Sequence, residues 1–229
     1  MASEITVAAN YNELAERRNG AYIWSAESMG PNALEMAQTS ADNCSTVILF
    51  TGLSGSGKTS VGETILRSLR EVGDPVLLLD GDTFRRDHAP DLGFSREDRA
   101  ENLRRAGLIA RAAADAGSIV LLSFIAPYAA DRERLRKQMV PHCFIEVWLS
   151  APVAVCEQRD VKGLYKRARS KDLASFTGVT DTYEPPVNPD HVLPTHLWSL
   201  DQCCESLLNF LGNLGLGESG VKDASNHDL

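Results

Sequence analysis

The chain has little that would suit it to a membrane, a secretory route or a nucleic-acid coat. No apolar run approaches the roughly 20 residues of a bilayer-spanning helix. The opening Met1-Ala2-Ser3-Glu4 leads into mixed polar residues, with neither the charged start nor the apolar stretch of a secretory signal. Its five cysteines, at 44, 143, 156, 203 and 204, form no C-x-x-C pair and no zinc spacing. Their scatter and odd number suit a reducing cytoplasm, an organelle matrix being the other compartment that fits. The net charge of −8 argues against nucleic acid and anionic membranes as partners. No internal repeat is evident. At 229 residues the expectation is one domain with short appendages.

What the chain does have is Gly52-Leu53-Ser54-Gly55-Ser56-Gly57-Lys58-Thr59, a complete G-x-x-x-x-G-K-[ST] phosphate loop. The apolar run Val47 to Phe50 precedes it, and a helix is predicted to begin near Gly57. A strand that delivers such a loop lets backbone N–H groups wrap phosphate oxygens. Lys58 adds a positive charge, and the Thr59 hydroxyl can reach a Mg²⁺ ion. The helix adds the positive end of its dipole. An ordinary Gly-rich turn is the competing reading, and it gives no reason for the strand and helix on either side.

Beyond the loop, apolar runs and helical patterns alternate. Strands are predicted at 46–51, 76–80, 119–124, 144–149 and 191–193. Helices are predicted at 57–72, 97–116, 129–139, 152–159, 163–173 and 199–211, with Ser95 capping the second. This alternation gives an α/β fold: a P-loop NTPase-type three-layer arrangement, its central parallel sheet flanked by helices. Residues 46–211 form the domain, with a basic lid near 160–178. Residues 1–45 are an N-terminal extension, in which Tyr22 and Trp24 suggest a docking segment and 34–38 a short helix. Residues 212–229, rich in Gly, Ser, Asp and Asn, read as a frayed tail.

Ligands of open parallel sheets gather outside the carboxyl ends of the strands. That rule places Lys58, Asp80, Asp82, the stretch Phe124 to Tyr128, and Arg159 with the basic run behind it around one crevice. Asp80-Gly81-Asp82 reads either as a solvated turn or as a pair of carboxylates, one for Mg²⁺ and one for a substrate hydroxyl. Its position at the end of a buried strand favours the second. Arg99 and Asn102, and Arg105 beyond them, share one helix face at a spacing of three. They could grip an anion beside Phe94, or lie on a solvated face among Glu97, Asp98 and Glu101. Such clusters in an acidic protein can focus charge on a small anionic substrate.

Longer strings carry more information. Leu79-Asp-Gly-Asp-Thr-Phe-Arg85 and Asp91-Leu-Gly-Phe-Ser-Arg-Glu-Asp-Arg-Ala-Glu-Asn-Leu-Arg-Arg105 resemble adenylyl-sulfate kinases, of the P-loop kinase superfamily. So do Ser123-Phe-Ile-Ala-Pro-Tyr128, Cys156-Glu-Gln-Arg-Asp-Val-Lys-Gly-Leu-Tyr-Lys166 and Phe176-Thr-Gly178, and the resemblance covers about 46–210. It implies transfer of the γ-phosphate of MgATP to the 3′-hydroxyl of adenylyl sulfate, in sulfate activation. By it, Gly52 to Thr59 and Arg159 hold ATP, Thr59 and Asp80 hold Mg²⁺, and Lys58, Asp80 and Asp82 are catalytic. Asp82, Arg85, Phe94, Arg99, Asn102, Ile125, Ala126, Lys162, Ser175 and Phe176 bind adenylyl sulfate, with Phe176 opposite Phe94 around the adenine. The resemblance also implies a homodimer and functional association with an ATP sulfurylase. Tyr22-Ile-Trp24 is faintly similar to a family segment that packs near a neighbouring subunit.

Three departures qualify the resemblance: Thr83 where Asn is common, His88-Ala89-Pro90 before the Asp-Leu-Gly-Phe string, and Ala126 where Ser is common. Alanine has no hydroxyl, so no phospho-enzyme forms through that residue. Two alternatives stand beside this reading: another small-metabolite kinase on the same fold, such as a nucleoside or sugar-acid kinase, and a nucleotide-binding relative without turnover. His142, His191 and His196 read as surface or packing residues, Trp148 as core, and Cys203-Cys204 as small packing residues.

Overall fold

The computed structural model of the chain describes residues 44–160, 162–170 and 176–214. The predicted docking segment at Tyr22 and Trp24, the short helix at 34–38, Ser175 and most of the tail lie outside the described residues. Within them, five strands form one parallel sheet: β1 (Thr46–Thr51), β2 (Val76–Asp80), β3 (Ile119–Ser123), β4 (Cys143–Leu149) and β5 (His191–Leu193). Their order across the sheet is β2-β3-β1-β4-β5. The helices are α1 (Lys58–Glu71), α2 (Gly81–His88), α3 (Arg96–Asp115), α4 (Ala129–Gln138), α5 (Val153–Arg159), α6 (Leu164–Arg169) and α7 (Leu200–Asn213).

The sheet is covered on both faces, which is why its strands are continuous apolar runs rather than alternating ones. Every residue of β1 is buried. Val47 and Leu49 face one core, packed with Leu103, Ala106 and Ala110 of α3 and with Leu135 of α4. Ile48 and Phe50 face the other, packed with Val61, Ile65 and Leu69 of α1 and with Leu207 and Leu211 of α7. A period of two in the strand thus meets three-and-four spacing in the helices. Cys203 and Cys204 are packing residues of this second core. A third, smaller cluster of Leu53, Cys156, Tyr165 and Phe176 joins the phosphate loop to α6.

Three local features differ from expectation. Asp80-Gly81-Asp82 is the start of α2, not a turn: the Asp80 side chain caps the helix by accepting from the backbone N–H groups of Asp82 and Thr83. Gly81 permits this because a Cβ there would lie 3.1 Å from Phe124 and 3.2 Å from the Ser123 carbonyl oxygen. Trp148 is half-buried rather than core, although it pairs with Thr51 on one side and Val192 on the other. The basic helix is shorter than predicted, ending at Arg169. Ser95 does cap α3, in a reciprocal capping box with Asp98. No helix among the described residues is long and apolar enough to cross a membrane.

Candidate active site

The carboxyl ends of the strands open onto one cavity of about 1100 Å³. The phosphate loop forms its floor. Gly52 must be glycine because a Cβ would come within 2.8 Å of the Leu149 carbonyl oxygen. Lys58 is buried, and its Nζ donates to the carbonyl oxygens of Gly52 (3.0 Å) and Leu53 (2.8 Å). Burial pushes its pKa down to about 8, against the opposing pull of Asp82, Cys156 and Asp80. Ser54 to Thr59 line the cavity, whereas Gly52 and Leu53 do not. Those two contribute the carbonyls that hold Lys58, and the Leu53 side chain turns into the small core under α6.

Beside the loop, the Thr59 hydroxyl donates to Asp80 Oδ2 at 2.8 Å. Asp80 is thereby engaged at both oxygens, as helix cap and as Thr59 acceptor. Asp82 is different: its side chain is 70% exposed and pairs with Lys162. Burial works against the Lys162 charge, but the Asp82 hydrogen bond and charge raise its pKa. A hydroxyl and carboxylates at this spot are the hard oxygen donors that a Mg²⁺ ion takes alongside phosphate oxygens and water. The residues present therefore fit that ion.

The cavity is also lined by Arg85, Phe94, Arg99, Asn102, Ile125, Ala126 and Phe176. Arg85 and Arg99 both approach the Phe94 ring, at 4.8 and 5.7 Å from its centroid. Burial, then the neighbouring Arg99 charge, lowers the pKa of Arg85. Asn102 is only 5% exposed, and its Oδ1 has no partner among the described residues. The same holds for the hydroxyls of Ser56, Ser123 and Thr177, and all four residues line the cavity. Buried polar atoms without partners are uncommon, and four around one cavity point to a polar occupant.

Helix α3 therefore has two faces, and both sequence readings apply to it. Glu101 pairs with Arg104 and Arg105 on the outer face, and Arg105 also holds Asp91. Arg105 does not line the cavity. Arg99 and Asn102 face inward, with the Arg99 side chain 9% exposed and 3.4 Å from Asp181.

Elsewhere in the lining, Arg159 donates to the carbonyl oxygens of Gly55 (3.1 Å) and Thr195 (2.5 Å). The Thr195 hydroxyl donates to the Ser56 carbonyl oxygen at 2.8 Å. Thr195, Trp198, Leu200 and Cys203 complete this wall. Sequence reasoning missed all four, and it missed Asp181. The rule about carboxyl ends, applied to β5, would have found Thr195 and Trp198. Of the predicted residues, Lys162 and Phe176 also line the cavity, and Phe176 packs edge-on to Tyr165 at 4.8 Å.

A parallel sheet whose central strand delivers a phosphate loop, with a second polar pocket sharing its cavity, defines a P-loop kinase. Residues 44–194 match the family model described as adenylylsulphate kinase, and the chain belongs to that family. It is 48% identical over 168 residues to the adenylyl-sulfate kinase of Gloeothece citriformis, covering 73% of this chain and 94% of that one. It is 44% identical over 172 residues to that of Acaryochloris marina, covering 75% and 84%. Among solved structures, it resembles the Mycobacterium tuberculosis APS kinase in complex with AMPPNP and APS. That likeness has a TM-score of 0.71 and 42% identity, and covers 73% of this chain and 98% of that one.

Proposed function

We infer that this protein is an adenylyl-sulfate kinase, a phosphotransferase with an alcohol group as acceptor. It moves the γ-phosphate of ATP to the 3′-hydroxyl of adenylyl sulfate, giving 3′-phosphoadenylyl sulfate and ADP. The observation that carries this reading is the single cavity. Its lining brings together the phosphate loop with Lys58, the carboxylates of Asp80 and Asp82, and the aromatic-and-arginine group of Arg85, Phe94 and Arg99. The family membership supports the same choice of substrates. The sequence alternative of a sugar-acid kinase leaves Phe94 and its two arginines without a use, and the retained Lys58, Thr59, Asp80 and Asp82 argue against a relative without turnover.

In this mechanism the ATP phosphates lie along Ser54 to Thr59. Lys58 leaves the Gly52 and Leu53 carbonyls for the γ-phosphate, and its lowered pKa recovers beside that anion. Thr59 and Asp80 would hold Mg²⁺, which when bound would offset the negative charge of the phosphates. Arg85 and Arg99 meet the phosphosulfate, while Phe94 and Phe176 enclose the adenine. The 3′-oxygen forms a bond to the γ-phosphorus as the bond to the bridging oxygen of ADP breaks. Its proton passes to the exposed carboxylate of Asp82, which Lys162 keeps in place. Ala126 offers no hydroxyl, so transfer is direct. Residues 46–211 act as one kinase domain, with a lid near 160–178 that excludes water. A cytoplasmic homodimer, working beside an ATP sulfurylase, completes this proposal.

The test is turnover. With MgATP and adenylyl sulfate together, ADP should appear well above the rate with MgATP alone. Equal rates would reject the reading, and a panel of nucleosides and sugar acids under the same conditions would identify the alternative acceptor.

A further inference from the structure

Residues 124–127 form the cavity wall that follows β3, and three consecutive carbonyls in it are each held by another part of the fold. The Ile125 carbonyl oxygen accepts from the Thr51 hydroxyl at 2.7 Å. The Ala126 carbonyl oxygen accepts from Arg132 Nη1 at 2.8 Å. The Pro127 carbonyl oxygen accepts from the Glu184 backbone N–H at 2.8 Å. Three separate parts of the fold, β1, α4 and the 181–184 segment, thus fix one short wall.

That wall contains the only non-glycine residue among the described ones with a left-handed backbone, Ala126 at φ 43°. An L-residue keeps this conformation only where its surroundings enforce it. Of the three anchors, Arg132 is the one that bonds Ala126 itself. It is 4% exposed and uses all three guanidinium nitrogens. Nε bonds Glu146 at 2.5 Å, Nη1 the Ala126 carbonyl, and Nη2 the Glu184 carbonyl at 2.9 Å. A planar fork spans three acceptors at once, which the single ammonium of lysine cannot do. Glu146 compensates the buried charge. Arg132 itself does not line the cavity.

With its carbonyls held in this way, the wall leaves the Ile125 and Ala126 backbone N–H groups without partners among the described residues. Both residues line the same cavity as Phe94 and Arg99. We propose that Arg132 is a positioning residue for the acceptor substrate: it holds the strained Ala126 turn so that this wall presents fixed N–H groups to the acceptor's anion. The donor nucleotide, bound by the phosphate loop, does not depend on it. This rests on the kinase reading above.

The experiment measures KM for adenylyl sulfate and for ATP separately in wild type, Arg132→Lys, Arg132→Met and Ala126→Gly, with melting temperatures alongside. Arg132→Lys should raise the acceptor KM about tenfold, the scale of one lost charge-assisted hydrogen bond, and leave the ATP KM within about twofold. Arg132→Met should raise it further, so that lysine is a partial rescue. Ala126→Gly frees the turn without emptying the core, and should raise the acceptor KM by about threefold at an unchanged melting temperature. It serves as the test if both Arg132 variants fail to fold. An unchanged acceptor KM, or equal shifts in both KM values, overturns the inference while leaving the kinase reading intact. A wild type without turnover overturns both.

Discussion

The two ends of the cavity are built in opposite ways. The donor end is built on one contiguous segment, Gly52 to Thr59, which holds Lys58 with its own carbonyls and whose other carbonyls are gripped by Arg159, Tyr165 and Thr195. The acceptor end draws Arg85 from α2, Phe94 from the segment before α3, Arg99 from α3, Ile125 and Ala126 from the wall after β3, and Phe176 from the chain after α6. The donor end carries its strain in glycines, where it is inexpensive; the acceptor end carries it at Ala126, where other elements must enforce it. Lys58 is sealed in, while Phe94 is 55% exposed. A local motif thus brings its functional groups together by sequence adjacency and is then braced from outside, whereas an assembled pocket owes even the meeting of its groups to the fold.

The comparison can be broken most directly at Lys58. Lys58→Ala should lower the rate roughly 10²–10³-fold, the scale of losing one preorganised donor, with little change in acceptor affinity. Equal rates in the variant and wild type would mean that the donor end lies elsewhere. Phe94→Ala should be milder, weakening adenylyl sulfate by on the order of 1–3 kcal/mol while leaving affinity for an ATP analogue alone. Calorimetry with each ligand separates the two, and a loss shared by both would erase the division between the ends.

The smallest effect is in pH. Lys58 has a folded pKa of about 8 against an ordinary 10.5. The phosphates need the charged form, so donor affinity should fall as pH rises above 8, by at most about tenfold per unit. Folding stability has the opposite sign: between 8 and 10.5 the unfolded chain binds more protons, so this group favours the folded state as pH rises. Titrating the affinity of an ATP analogue between pH 7 and 9 tests the first statement. A flat profile would show that Lys58 does not change its environment on binding.

Much of this molecule is legible along the chain. Thr46–Thr51 and Val76–Asp80 stand out because buried parallel strands are short unbroken apolar runs. Ser95 and Ser199 announce their helices through capping boxes that involve only local groups. Helix α2 was not legible, since Gly81 and Asp82 are poor helix formers and its cap is an aspartate that doubles as the end of a strand. Thr195 and Trp198 escaped notice because the strand before them has three residues and pairs only at the edge of the sheet. Arg132 read as one charge among several on α4, and nothing local distinguishes it from the exposed Arg134.

What the sequence by itself determined is therefore the set of elements and the phosphate loop, because hydrophobic period, helix caps and glycine spacing act within a few residues. What only the tertiary structure decided is which polar groups meet: that Arg99 and Asn102 turn inward while Arg105 turns out, that Asp80 is engaged and Asp82 is available, and that Arg132 grips the Ala126 turn from behind. Those choices depend on burial and on partners tens of residues away, and a buried charge is tolerated only where the fold brings it a counter-charge and acceptors.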